Sequence, residues 1–402
     1  MGKSLPNMAY WTLLQTGKGV PLAIGKPGMA KTASGEAFSR AVNRQFIWLV
    51  GSWREPPDVG GYPFPCKMTI FDPATGQNGV KRYMGIIPPK FLMDALQRPS
   101  ILICDELTTC APAVQTPFLG ILGEGRVGDE MLPKDTWRGA MCNPPGCACN
   151  GFDLEPPMAN RLVHLPWEFD AHAWEMGMAN GGDHFPAPEF EVLPQDWERH
   201  MASGCARVAA FHRHMPSLID ASPDPNDPDY RVKASKAYPS PRSWHIAGIC
   251  NAALEAIDAD PGIRYQAVRG CVGDEGGLQY QKWEEALDLP DPEPMICAAI
   301  EARKAGRPVE AKIPARSDKA MCCLAAIIDR ACNHSRHNGK PDGDRWLAAG
   351  DILNVARKTY MEYVVATILP LLTNKPNGAL LPADLTEAVY PVLARTGMLK
   401  GR

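Results

Sequence analysis

The stretch Gly25-Lys26-Pro27-Gly28-Met29-Ala30-Lys31-Thr32 follows a short apolar run and opens a segment of helical spacing. A glycine-rich turn between a buried strand and a helix presents backbone amides to an anionic ligand, with the helix N-terminus behind them. In that setting Gly25 and Gly28 let the amides turn inward, and Lys26, Pro27, Met29 and Ala30 complete the loop. Lys31 reaches the β and γ phosphates of a nucleotide, and the Thr32 hydroxyl is placed to ligate magnesium. Ala30 stands where the general phosphate-loop pattern has glycine, and a Cβ there crowds the loop. The competing reading, an ordinary Gly-Pro turn before a helix, is weighed against what lies downstream.

Downstream, Ser100-Ile101-Leu102-Ile103-Cys104 forms a continuous apolar run that ends in Asp105-Glu106. Two acids at such a strand end divide the work: Asp105 holds magnesium through water, and Glu106 polarises the attacking water. Paired acids also cap helices or sit in solvated turns. A phosphate loop upstream reverses that preference.

Around these two segments, short apolar runs alternate with helical patterns, the signature of a parallel sheet covered by helices. The runs are Leu22 to Gly25, Phe46 to Gly51, Ile101 to Cys104, Arg138 to Cys142 and Leu162 to Leu165. Between the second and third, Met68 to Phe71 and Lys81 to Met84 flank the turn Asp72-Pro73-Ala74-Thr75-Gly76 and read as a hairpin projecting from the sheet edge. From Asp170 to Ala237 the chain is rich in Pro, Asp, His and Gly, and 222–230 reads as an exposed loop near a domain change. Helical spacing then returns over Ser243 to Ile257, Met321 to Cys332 and Trp346 to Leu372, the last with one glycine break. The expected division is a nucleotide-binding α/β core over 1–200, a helical lid with linker over 201–310 and a C-terminal helical region over 311–402.

The motif set resembles that of MoxR-type AAA+ ATPases over roughly residues 15 to 310. GKPGMAKT is similar to that family's phosphate loop, where alanine before the lysine is usual, and ILICDELTT is similar to its Walker B strand. AVQTPFLGILGEGRVGD resembles the helix and turn that follow. The resemblance implies a P-loop NTPase fold with helices on both faces of the sheet, ATP and magnesium as ligands, and hydrolysis in an oligomeric ring, usually a hexamer. It further implies Asn143 in MCNPP as the sensor-1 residue, an uncharged amide that orients water. Arg161, just before the fifth strand, becomes the arginine finger entering a neighbouring subunit's site. Arg242, in YPSPRSWHIAGI, becomes the sensor-2 arginine, placed to reach the γ phosphate of its own site. Arg126, in GEGRVGD, is a second candidate for the trans contact. The family often acts with a protein carrying a von Willebrand A domain, so a client of that class is implied.

Composition bounds the alternatives. Lys and Arg number 42 against 45 Asp and Glu, a formal net charge of -3, so no overall basic field attracts nucleic acid. No apolar run is long enough to span a bilayer, and the start lacks a secretory pattern, so a cytoplasmic protein is expected. The 13 cysteines are scattered and read as reduced thiols, mostly buried. Cys147 and Cys149 lack a second pair at zinc spacing, and His212/His214 and His334/His337 read as solvated polar residues. Three functions share the ATP site: a remodeller that assembles or activates a partner complex, a nucleic-acid motor using the hairpin's Lys81-Arg82-Tyr83, and a scaffold whose nucleotide locks the ring.

Overall fold

The computed structural model describes residues 4–74, 76–147, 151–182, 184–334, 336–337 and 340–397, with the backbone alone at Asp72, Pro145, Arg336 and His337. Its first strands are β1 (Pro21–Ile24), β2 (Gln45–Val50), β3 (Tyr62–Asp72), β4 (Gln77–Ile87), β5 (Ser100–Asp105), β6 (Arg126–Val127), β7 (Glu130–Met131), β8 (Trp137–Cys142) and β9 (Val163–Pro166). The chain divides into two compact units. One comprises Met1–Leu193, Ala221–Ile246 and Ala259–Gly277; the other comprises Pro194–Asp220, Ala247–Asp258 and Leu278–Arg402.

The first unit is built on a parallel five-stranded sheet in the order β2-β5-β8-β1-β9. The order follows from how much apolar surface each strand carries. All six residues of β5 are buried, as an unbroken apolar run in an interior parallel strand requires, whereas β2 at the edge leaves Trp48 partly exposed. A largely apolar helix, Leu5–Leu14, packs on the sheet. Its Tyr10 hydroxyl donates to Ala140 O at 3.2 Å, and its Trp11 ring stacks on Phe38 at 4.7 Å. Burying an aromatic of this size contributes on the order of 3–5 kcal/mol relative to alanine. The fold is thus α/β, a parallel five-stranded sheet with helices and a helical C-terminal region, and the five expected runs supply its five strands.

The expected hairpin is present but much longer. β3 and β4 pair antiparallel from Tyr62↔Ile87 to Asp72↔Gln77, and Phe64, Met68, Val80 and Met84 along them are exposed. The two strands form a sheet of their own.

In the second unit the helix Ser317–Asn333 buries Met321, Leu324, Ile327, Ile328 and Ala331 against Met201–His214, Pro292–Lys304 and Gly343–Thr367. The Pro- and Asp-rich stretch after Asp170 keeps the expected exposed loop, over 222–229, and also holds the helices Ala171–Ala179 and Met201–His214, because Ala and Met inside them have high helix propensity. Two expectations are corrected here. Gly350 does not break the last long helix: it is packed so closely that an added Cβ would lie 2.5 Å from Leu381, and the interruption falls at Tyr360 (φ -127°, ψ 40°). His212 is half-buried rather than solvated, and burial lowers its pKa. Cys149 lies outside the described residues, as does the side chain of His337. Among the described residues no cysteines are joined in a disulfide and most are buried, no helix is long and apolar enough to cross a membrane, and no cluster of three metal-ligating side chains occurs.

Candidate nucleotide site

Three parallel neighbours, β5, β8 and β1, end at the same edge of the sheet, and the loop after β1 folds over that edge. The Gly25 amide donates to Cys142 O at 3.2 Å, joining the loop to the end of β8. The Trp167 amide donates to Ile24 O at 2.8 Å and its indole to Met29 O at 2.9 Å, strapping the loop from the end of β9. Gly25 is required by this strap: a Cβ there would lie 2.6 Å from Trp167 Cβ. Gly28 has φ +77° and open space around it. Ala30 also adopts the left-handed region, φ 55°, ψ 23°, directly before the helix Lys31–Ala41. That geometry explains why glycine is the general choice at this position, and it costs alanine roughly 1–2 kcal/mol.

Lys31 is buried, with its three donors directed at Gly25 O (2.7 Å), Lys26 O (3.0 Å) and Asn143 Oδ1 (3.1 Å). Burial lowers its pKa, while the nearby Asp105, Cys142 and Glu106 raise it again. Thr32 Oγ1 donates to Asp105 Oδ2 at 3.3 Å. The loop lysine, the loop threonine, the strand-end acid and the strand-end amide therefore meet at one point. Cys142 beside them is pushed up to about 12 by burial, which keeps its thiol protonated and inert.

The acid pair is held by residues that pattern reading did not pick out. The Trp48 indole donates to Asp105 Oδ2 at 3.1 Å, and the Ser52 hydroxyl donates to the Glu106 carboxylate. Glu106 has φ 57°, a second left-handed residue at the site. Thr108 Oγ1 donates to Asn143 O at 3.0 Å, fixing the β8 end against the turn after the acids. The register of β2 on β5, Val50↔Asp105, is the signal that would have located Trp48 and Ser52, and it exists only once the strands are paired.

A cavity of about 670 Å3 opens beside the loop. Met29 and Ala30 of the loop line it, together with Met8, Trp11, Trp167 and Trp174. Asn7, Glu168, Asp170 and His172 share the walls with these apolar side chains, a mixture of aromatic faces and polar groups compatible with a nucleobase.

The arginines assemble elsewhere. β9 runs parallel to β1 with Pro21↔Val163, so Arg161 sits at the opposite end of the strands from the loop that follows Ile24. At about 3.3 Å per residue the separation along the strands is roughly 20 Å, beyond the reach of an arginine side chain. Arg161 Nη1 donates to Pro157 O at 2.8 Å, and its pKa is lowered by burial and by the neighbouring charge of Arg242. Ser240 Oγ donates to Asn160 Oδ1 at 3.0 Å, which sets residues 240–242 against the start of β9. Arg242 accordingly sits with Arg161 and not with the loop of its own site. Arg126 is exposed on the short β6–β7 pair, its Nη1 on Asp129 O at 3.3 Å.

The donors at the loop fit magnesium. A threonine hydroxyl and one carboxylate are hard oxygens, and Mg2+ commonly takes one or two such groups and completes its shell with phosphate and water.

No protein-family model matches the chain, and no curated protein matches it. Among solved structures it is similar to a Cytophaga hutchinsonii ATCC 33406 protein provisionally named an ATPase, at 15% identity and a TM-score of 0.41, over 66% of this chain and 80% of that one. It is also similar to a full-length MCM homologue from Methanopyrus kandleri, at 11% identity and a TM-score of 0.30, over 69% of this chain and 53% of that one. The chain thus spans about half the length of that homologue. Likenesses of this strength leave the reaction and the partner to be argued from the site itself.

Proposed function

We propose that the chain is a magnesium-dependent ATPase of the MoxR-type AAA+ class, working in the cytoplasm as a ring of its own copies, of the order of a hexamer, to remodel or activate a partner protein. The observation that carries this reading is the meeting of Lys31 and Thr32 with Asp105 and Asn143 at the ends of three neighbouring strands. In this reading the core is 1–200, the lid 201–310 and the C-terminal helical region 311–402.

The mechanism follows from the donors available. Lys31 exchanges the carbonyls of Gly25 and Lys26 for phosphate oxygens, which reward its charge far more than neutral acceptors do. Thr32 and Asp105 would hold magnesium, which when bound would neutralise charge on the phosphate oxygens. Glu106 aligns and deprotonates the attacking water, and Asn143 orients it without adding charge. Because Arg161 lies at the far end of the sheet, its guanidinium serves a neighbouring copy's site. Arg242 beside it supports a second trans contact in place of the cis role. Hydrolysis then repositions lid against core. A partner with a von Willebrand A domain is the client class that the family resemblance favours.

The test is nucleotide binding and phosphate release by the purified chain with ATP and Mg2+, against Lys31→Ala. Loss of both in the variant is expected. Equal binding by the two removes the site. Stimulation by single-stranded DNA would transfer the reading to a nucleic-acid motor, and an assembled ring without turnover would transfer it to a scaffold.

A further inference from the structure

The two oxygens of a carboxylate offer about four lone-pair positions. At Asp105 three are taken among the described residues: Oδ2 accepts from Thr32 Oγ1 at 3.3 Å and from Trp48 Nε1 at 3.1 Å, and Oδ1 accepts from the Glu106 amide at 2.8 Å. Trp48 comes from the edge strand β2, where it pairs with Ile103 of β5 and reaches along the strand to the acid. Trp53 fixes the ring from its other side in an edge-on contact, centroids 5.5 Å apart and planes at 71°. The side chain is 38% exposed, so the sheet core does not demand an indole there. A phenylalanine fills the same strand position without the N–H.

We infer that Trp48 is a positioning residue for metal binding: it pins Oδ2 of Asp105 together with Thr32 and leaves a single open acceptor, on Oδ1, for one magnesium-bound water. The inference rests on the nucleotide reading above. Without the indole N–H, Oδ2 regains an open acceptor and the carboxylate is free to rotate, so metal and solvent water compete for two positions instead of one.

Binding of the β,γ-imido analogue of ATP is measured calorimetrically on the full chain, with and without Mg2+. In the wild type Mg2+ tightens binding; in Trp48→Phe roughly tenfold of that gain is lost, the scale of one hydrogen bond to a charged group, while metal-free affinity is unchanged. Trp48→His, which keeps an N–H donor, recovers most of the gain and carries the comparison if the phenylalanine variant does not fold. In an Asp105→Asn background Trp48→Phe adds no further loss, as required of a residue acting through Asp105. An undiminished Mg2+ gain in Trp48→Phe, or an equal loss without metal, overturns the role of Trp48 alone. A wild-type chain that binds no nucleotide under either condition overturns the nucleotide reading and this inference with it.

Discussion

The Ser52 hydroxyl donates a hydrogen bond to the carboxylate of Glu106. The contact arises because β2 ends level with β5 and the chain then turns through Gly51–Trp53, while Glu106 leaves its strand in a left-handed conformation. A hydroxyl on a carboxylate oxygen occupies an acceptor position that an attacking water would need. Ser52→Ala is therefore expected to raise unstimulated ATP turnover roughly fivefold, the scale of one ordinary hydrogen bond. Phosphate release by the lone variant is the measurement, and a lower rate would show that the bond orients Glu106 for its task.

In the proposed mechanism Glu106, at the end of its strand, is the base. Glu106→Gln is expected to keep ATP and to lose turnover by about 10²–10⁴-fold, the usual contribution of a positioned base.

Arg161 lies two residues before β9, at the end of the strands opposite the loop of its own chain. Arg161→Ala, inactive alone, should regain partial turnover when mixed with Glu106→Gln protomers, because some interfaces then combine an intact acid with an intact arginine. Absence of rescue in rings that assemble normally would return Arg161 to a structural role.

Gly25 accepts the Trp167 strap only because it has no side chain. Gly25→Ala forces the indole away from the loop, and the cost of such overpacking is about 1–3 kcal/mol. Urea unfolding should show that loss, and nucleotide affinity should fall with it. An unchanged midpoint with wild-type affinity would mean that the strap shifts freely.

In the second unit, Glu293 sits between Arg345 and Arg330, at 2.6 and 2.9 Å, and these bonds hold its pKa down at about 2 from an ordinary 4.5. A depressed carboxylate pKa contributes stability that is fully present above the ordinary value and is lost as pH falls through the folded one. Glu293→Gln should be less stable than the wild type at neutral pH, and the gap should close between about pH 4.5 and pH 2. A gap independent of pH would assign the loss to packing.

Much of this was readable before any strand was paired. An apolar run followed by Gly25 to Thr32 fixes a strand, a turn and a helix locally, and the run from Ser100 to Asp105 is apolar enough to be an interior strand wherever it is placed. The residues that chemistry demands at those two places, Lys31, Thr32, Asp105 and Glu106, were therefore identifiable from composition and spacing. The β3–β4 pair was visible only at its turn and its apolar centre, because Pro63 and Pro65 break the alternation that marks a strand.

What spacing along a chain cannot encode is which strand lies beside which. Sequence reading assigned no chemistry to Trp48 or Ser52; they touch the acids because β2 packs against β5 in one register and not a residue to either side. Arg242 looked like a partner of its own phosphate loop, and the hydrogen bond from Ser240 to Asn160 placed it beside Arg161 at the opposite edge. Local sequence determined the strands, the loop and the reactive side chains, since each depends on neighbours a few residues away. Strand order and register, set by burial of the whole sheet, decided which of those side chains meet at the loop and which lie at the opposite end of the strands.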